Sequence, residues 1–196
     1  MKFDILLAGV GGQGVLSLSS IIAWSAMREG LHVTQSELHG MSQRGGAVVA
    51  HLRMGDAPVA SSLVPRGAAS LIIGLEPLEA LRYLRYLAPT GAVVTARAPV
   101  QNIPDYPPID QLLQQIRLLP DAVLVDADRL ARAAGLARAT NMVLAGAASH
   151  RLPLQGRTME RFIVSHFERK GPKVVQQNLA AFNAGREAAA QCPSPA

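Results

Sequence analysis

The run Ile5-Leu6-Leu7-Ala8-Gly9-Val10-Gly11-Gly12-Gln13-Gly14 constrains this chain more than any other stretch. Four apolar residues lead straight into glycines at 9, 11, 12 and 14, and residues 15–28 then place apolar side chains at helical spacing. Strand, glycine turn and helix in that order make a phosphate-cradling loop. Gly9 allows a tight turn, Gly11 a close approach by a ligand's oxygens, and Gly14 close packing of the helix on the strand. The unpaired N–H groups of the helix start carry partial positive charge and face the anion. Gln13 stands in the same loop. The most familiar ligand of such a loop is a dinucleotide.

The rest of the chain continues in alternation. Strand-like segments are predicted at residues 31–34, 47–54, 69–75, 92–95 and 122–125. Helices are predicted at 77–87, 109–119 and 127–134, and the pattern after Gly135 is wholly helical. Residues 58–64 read as a strand returning antiparallel to 47–54 through the Gly55-Asp56 turn, which makes the sheet mixed. The expected fold is therefore α/β: a three-layer α/β/α Rossmann-like sandwich with a mostly parallel, partly mixed sheet and a helical C-terminal part. Residues 1–190 form one such domain, and 191–196 a disordered tail. With 49% hydrophobic but only 4% aromatic residues, small aliphatic side chains fill the core. His51 and Arg53 share one strand face, read as half-exposed. Residues 98–108 are rich in proline and read as a surface excursion. Asp126 and Asp128 suggest a metal site at first sight, but they fit better as caps of the following helix.

Several function classes drop out. The formal charge of +5 can attract acidic partners, yet Lys and Arg are scattered, with no basic run interleaved with aromatics, so nucleic acid is not an expected partner. No apolar run approaches the length of a membrane span and no signal-peptide pattern opens the chain, so neither a membrane nor export is expected and the cytoplasm is the default location. The one cysteine, Cys192, lies in the tail. It can neither build an internal disulfide nor hold an iron–sulfur cluster by cysteines alone.

A nicotinamide enzyme fits poorly. Such folds place an acid at the tip of the second strand to hold the ribose. Glu37, the sole candidate, falls in a predicted loop. That loop, Ser36-Glu37-Leu38-His39-Gly40-Met41-Ser42-Gln43-Arg44-Gly45-Gly46, is the second informative stretch. Arg44 can grip a phosphate or carboxylate bidentately, and His39 or Ser42 can hydrogen-bond to it. Read by itself, the loop fits a glycine-rich turn whose polar side chains satisfy their own backbone equally well. Glu76 follows the 69–75 strand at its carboxyl end, where ligands of open α/β sheets bind. It also fits as an acid at the start of the helix opened by Pro77.

Three stretches now resemble one family in order and spacing: Gly9-Val10-Gly11-Gly12-Gln13-Gly14, His39-Gly40-Met41-Ser42-Gln43-Arg44-Gly45-Gly46 and Gly74-Leu75-Glu76-Pro77-Leu78-Glu79-Ala80. Asn141-Met142-Val143-Leu144-Ala145-Gly146-Ala147 and Asn178-Leu179-Ala180-Ala181-Phe182-Asn183-Ala184-Gly185 add to them. Together they look like the gamma-type subunit or domain of 2-oxoacid:ferredoxin oxidoreductases, and within that group like the small (beta) subunit of the indolepyruvate enzymes. The resemblance implies a complex that oxidatively decarboxylates a 2-oxo acid, indolepyruvate or another aryl pyruvate, passing the acyl group to coenzyme A and electrons to ferredoxin.

It further implies coenzyme A as the ligand of this chain. Gly9, Gly11, Gly12, Gln13 and Gly14 cradle a phosphate, Ser42, Gln43 and Arg44 lie beside it, and His39 and Glu76 stand behind. Thiamine diphosphate, Mg2+ and the iron–sulfur clusters are expected on a separate large subunit, because this chain shows no Gly-Asp-Gly signature and one tail cysteine. Ferredoxin is then an indirect partner, and the isolated chain can self-associate to cover its interface. No nucleophile or acid–base residue is assigned. A second reading keeps the chain as a non-catalytic interaction subunit whose glycine loops only dock on the large subunit.

Overall fold

The apolar run at the start of the chain becomes β1 (Lys2–Val10), and its residues 4–10 are all buried. The computed structural model describes residues 1–39 and 45–191. After α1 (Val15–Arg28) come β2 (His32–His39), β3 (Ala47–Gly55), β4 (Ala69–Gly74), α2 (Pro77–Arg82), β5 (Leu87–Ala96), α3 (Ile109–Arg117) and β6 (Ala122–Val125). Four helices close the fold: α4 (Ala127–Ala133), α5 (Thr140–Ala148), α6 (Gly156–Phe167) and α7 (Pro172–Ala190). The strands form one sheet in the order β2-β3-β1-β4-β5-β6. β1, β4, β5 and β6 are parallel, whereas β3 runs antiparallel to both β1 and β2. The carboxyl ends of five strands therefore share one edge with the β2–β3 connection.

Alternation along the strands splits the interior into two layers. Ile5 and Leu7 of β1, with Leu71, Ile73, Val94 and Val123, face α1 and the C-terminal helices. Leu6, Val49, Ile72 and Val93 face the opposite side with Ala80 of α2 and Val64. The three-layer expectation holds. α5 and α7 meet backbone to backbone: a Cβ on Gly146 would strike the Phe182 carbonyl, and one on Gly185 the Val143 carbonyl.

The sheet is mixed, but through a different pairing from the one expected. Residues 58–64 form no strand, and the partner of β3 is β2. β3 is already bonded to strands on both sides, so it offers no free edge to a returning chain. The segment lies instead across the sheet face and is held by side chains. Arg53 Nη1 donates to the carbonyls of Ser61 at 2.9 Å and Leu63 at 3.1 Å, and the Val64 amide donates to His51 Nδ1 at 3.0 Å. His51 and Arg53 are thus buried, 3% and 5% exposed, not half-exposed. Burial first, and the Arg53 charge second, push the His51 pKa down. Arg53 also forms a forked ion pair with Asp4, Nε to Oδ1 at 2.9 Å and Nη2 to Oδ2 at 3.1 Å, which offsets the cost of burying both charges.

Other boundaries moved. Residues 36–39 belong to β2, so Glu37 sits inside a strand opposite Ala50, and its carboxylate accepts from Gln35 Nε2 at 2.7 Å. The helix at 77 stops at Arg82, and one tight turn (Leu84–Tyr86) leads into β5, which begins at Leu87. Asp126 caps α4, its Oδ1 accepting from the Arg129 amide at 3.2 Å. Of the expected tail, residues 192–196 lie outside the described residues. No helix among the described residues is long and apolar enough to cross a membrane.

Candidate functional site

The glycine turn leaves β1 at the carboxyl edge and enters α1 without a side-chain cap, because the N-cap is Gly14 in the left-handed region at φ 87°. A Cβ there would also lie 2.5 Å from Asn141 Nδ2. Asn141, at the start of α5, closes this corner from behind, its Nδ2 donating to the Gly14 carbonyl at 3.5 Å. Gly9 plays a different part from the one predicted. It is a strand residue, and its requirement is close packing: a Cβ would sit 2.9 Å from Leu75 Cβ and 3.0 Å from Gln13 Oε1.

Gln13 works on the protein itself. Its Oε1 accepts from the Val10 amide at 2.7 Å, and its Nε2 donates to the Leu75 carbonyl at 2.9 Å. It fastens the end of β1 to the end of β4 and shapes the turn. Gly11 joins the first loop to the second: its amide donates to the Gly46 carbonyl at 2.8 Å, and its carbonyl accepts from the Gly45 amide at 3.4 Å. Ser42, Gln43 and Arg44 lie outside the described residues, and of His39 only the backbone, opposite Val48, is described.

What remains open for a ligand is specific. Among the described residues, the amides of Gly12, Gly14, Val15, Leu16 and Ser17 take no partner. A cavity of about 390 Å³ opens over the turn, with Val10, Val15, Leu16 and Val48 as apolar walls and Gly12 and Gly14 as its floor. Its size falls in the range of small-molecule sites. Helix-start amides suit an anionic group and the valine–leucine walls an uncharged portion of the same ligand.

Glu76 lies 1% exposed at the N-cap of α2. Its Oε1 accepts from the Glu79 amide and its Oε2 from the Tyr106 hydroxyl at 2.6 Å. Both oxygens are engaged by the protein, which supports the capping reading over a ligand contact. Burial, followed by the hydrogen bond to Glu76, drives the Tyr106 pKa far upward. Glu79 is a buried carboxyl that sequence reasoning missed. Its Oε1 meets Arg82 Nε at 3.2 Å, while Oε2 has no partner among the described residues. Burial raises its pKa, against the Arg82 charge and with the help of Glu76.

Residues 98–108 are more than a surface excursion. Asn102 Nδ2 donates to the Gly45 carbonyl at 2.8 Å, and Tyr106 reaches Glu76, so the segment crosses the same edge as the glycine turn. Asn102, Tyr106 and Asn141 carried no motif of their own. Only Asn141 stood in a stretch marked by the family resemblance. Among the described residues no group of three or more His, Cys, Asp or Glu is placed to hold a metal ion.

The family model for pyruvate ferredoxin/flavodoxin oxidoreductase matches residues 4–188. Indolepyruvate oxidoreductase subunit IorB of Archaeoglobus fulgidus is 38% identical over 197 residues, 94% of each chain. Among solved structures, the gamma subunit of a keto/oxoacid ferredoxin oxidoreductase from Geobacter sulfurreducens superimposes with a TM-score of 0.69 at 21% identity, over 97% of this chain and 99% of that one. A 2-oxoglutarate:ferredoxin oxidoreductase from Magnetococcus marinus, with 2-oxoglutarate, coenzyme A and succinyl-CoA bound, gives 0.79 at 21% identity. That match covers 98% of this chain and 32% of the larger one.

Proposed function

The chain belongs to the pyruvate ferredoxin/flavodoxin oxidoreductase family, and from that membership we propose that it is the small subunit of a complex that oxidatively decarboxylates an aryl 2-oxo acid such as indolepyruvate. The complex passes the acyl group to coenzyme A and the electrons to ferredoxin. The relationship to indolepyruvate oxidoreductase subunits along nearly the full length of both chains carries this reading. The large partner subunit holds thiamine diphosphate, Mg2+ and the iron–sulfur clusters. The complex works in the cytoplasm.

This chain's share is binding. The amides of Gly12, Gly14, Val15, Leu16 and Ser17, unpartnered among the described residues, hold a phosphate of coenzyme A, and Val10, Val15, Leu16 and Val48 flank the rest of the ligand. Arg44, which precedes Gly45 in the sequence, supplies a second anion contact. Gly9, Gly11 and Gln13 serve by holding the turn in shape. Thiamine diphosphate on the partner supplies the carbanion chemistry, and this chain orients the acyl acceptor toward it.

Calorimetry of the assembled complex with coenzyme A tests this. Leu16 is 40% exposed on the cavity wall, so Leu16→Glu sets a carboxylate against the phosphate without disturbing the core. An acid in the first helical turn is itself tolerated by the fold. Affinity should fall at least about tenfold, the equivalent of roughly 1.4 kcal/mol, and Arg44→Ala should weaken it further. Unchanged affinity in both variants would overturn the assignment. One observation favours the second reading, an interaction subunit without a ligand: Gln13 and the Gly11 amide are already bonded to the protein. Wild-type complex that turns over but binds coenzyme A equally well when the cavity is blocked would establish it.

A further inference from the structure

Residues 97–108 contain four prolines, at 99, 104, 107 and 108, and no helix or strand. Proline fixes the backbone torsion φ and leaves the segment stiff. Its side chains decide where it lies, and two of them reach the supports of the glycine turn by separate routes. Asn102 holds the Gly45 carbonyl, and Gly45 and Gly46 exchange two backbone bonds with Gly11. Tyr106 holds Glu76 Oε2, and the residue before Glu76 is Leu75, whose carbonyl receives Gln13. The two routes end at Gly11 and Gln13, two residues apart in the same four-residue turn between β1 and α1.

We propose that residues 97–108 act as a strap that locks the two glycine loops together and thereby sets how tightly the cavity binds coenzyme A, with Asn102 and Tyr106 as positioning residues. The affinity part rests on the reading of that cavity as the coenzyme A site. The mechanical part does not. An open strap leaves the Gly45–Gly46 junction free to part from Gly11, and the amides of Gly12 and Gly14 lose their fixed direction. Binding then has to order the turn as well as fill it.

The test uses the assembled complex carrying Asn102→Ala, Tyr106→Phe or both. Amide hydrogen exchange in peptides covering residues 9–16 should quicken in each variant and most in the double one, while exchange in α7 stays at the wild-type rate and reports an intact fold. The KM for coenzyme A should rise about fivefold per variant, the effect of one ordinary hydrogen bond, with the KM for the 2-oxo acid at its wild-type value. Unchanged exchange in residues 9–16 would overturn the strap outright. Faster exchange with an unchanged KM for coenzyme A would overturn its role in affinity. A wild-type complex that does not bind coenzyme A at this cavity would sink the functional reading instead, and the exchange rates would still decide the strap.

Discussion

Gln13 and Leu75 stand 62 residues apart and are joined by one bond, Nε2 to carbonyl oxygen at 2.9 Å, which ties the ends of two parallel strands beneath the candidate site. Gln13→Ala leaves both the Leu75 carbonyl and the Val10 amide without their partner in a partly buried corner. It should cost about 1–3 kcal/mol of stability, read as a lower urea midpoint with an unchanged slope. Gln13→Glu keeps the acceptor for Val10 and should recover part of the loss.

The forked pair between Arg53 and Asp4 predicts a larger effect. Asp4→Ala leaves a buried guanidinium with two carbonyl partners and no counter-charge. The expected loss is about 3–5 kcal/mol, enough to lower the melting temperature markedly. Replacing both residues together, Asp4→Leu with Arg53→Met, should be far milder than the single change. Thermal melts of the three variants check this.

His51 predicts a pH dependence. Burial, and then the Arg53 charge, hold its pKa below the ordinary imidazole value of 6.5, so the folded chain binds fewer protons than the unfolded one. The stability this supplies is present above about pH 6.5 and is lost as the pH falls through the folded value. Protonation also destroys the acceptor for the Val64 amide. Urea midpoints should decline from pH 7 towards pH 5, and His51→Gln should flatten that decline. An equally steep decline in the variant would count against His51 as its source.

The contact of α5 with α7 predicts intolerance of side chains. Gly146→Val or Gly185→Val pushes carbon into an opposing main chain, which cannot move aside as a side chain can. A loss of at least about 1–3 kcal/mol is expected, with Gly→Ala already harmful at both positions. Near-ultraviolet circular dichroism and chemical denaturation report the outcome.

The sequence carried the central strand, the glycine turn and the succession of elements, because strong period and turn chemistry act locally. It also carried the mixed character of the sheet but misplaced its cause. Residues 47–54 looked able to pair with 58–64, and nothing local revealed that both edges of β3 were taken. His51 and Arg53 alternate along a strand as exposed residues do. Their burial depends on Asp4 and on a segment that crosses the face, both distant in sequence. In the site, the glycines were legible while their separate duties were not. Gln13 and Gly11 resemble ligand contacts in the linear pattern, but the fold uses both for itself. Asn102 and Tyr106 were invisible, since a proline-rich stretch gives no period from which direction can be read.

The sheet sets the amino terminus at one end of this molecule and the glycine turn at the other. The amino edge carries ion pairs: the terminal amine with Asp56, Arg53 with Asp4, and Arg151 with Asp121. The carboxyl edge carries the glycine turn, where the amides of Gly12 and Gly14 take no partner among the described residues. Nine residues of extended chain, roughly 30 Å, separate residue 1 from the turn. A fluorophore or affinity handle joined ahead of Met1 is therefore remote from the cavity. Chains tethered to a sensor surface by that end would present every glycine turn outward, towards an arriving subunit.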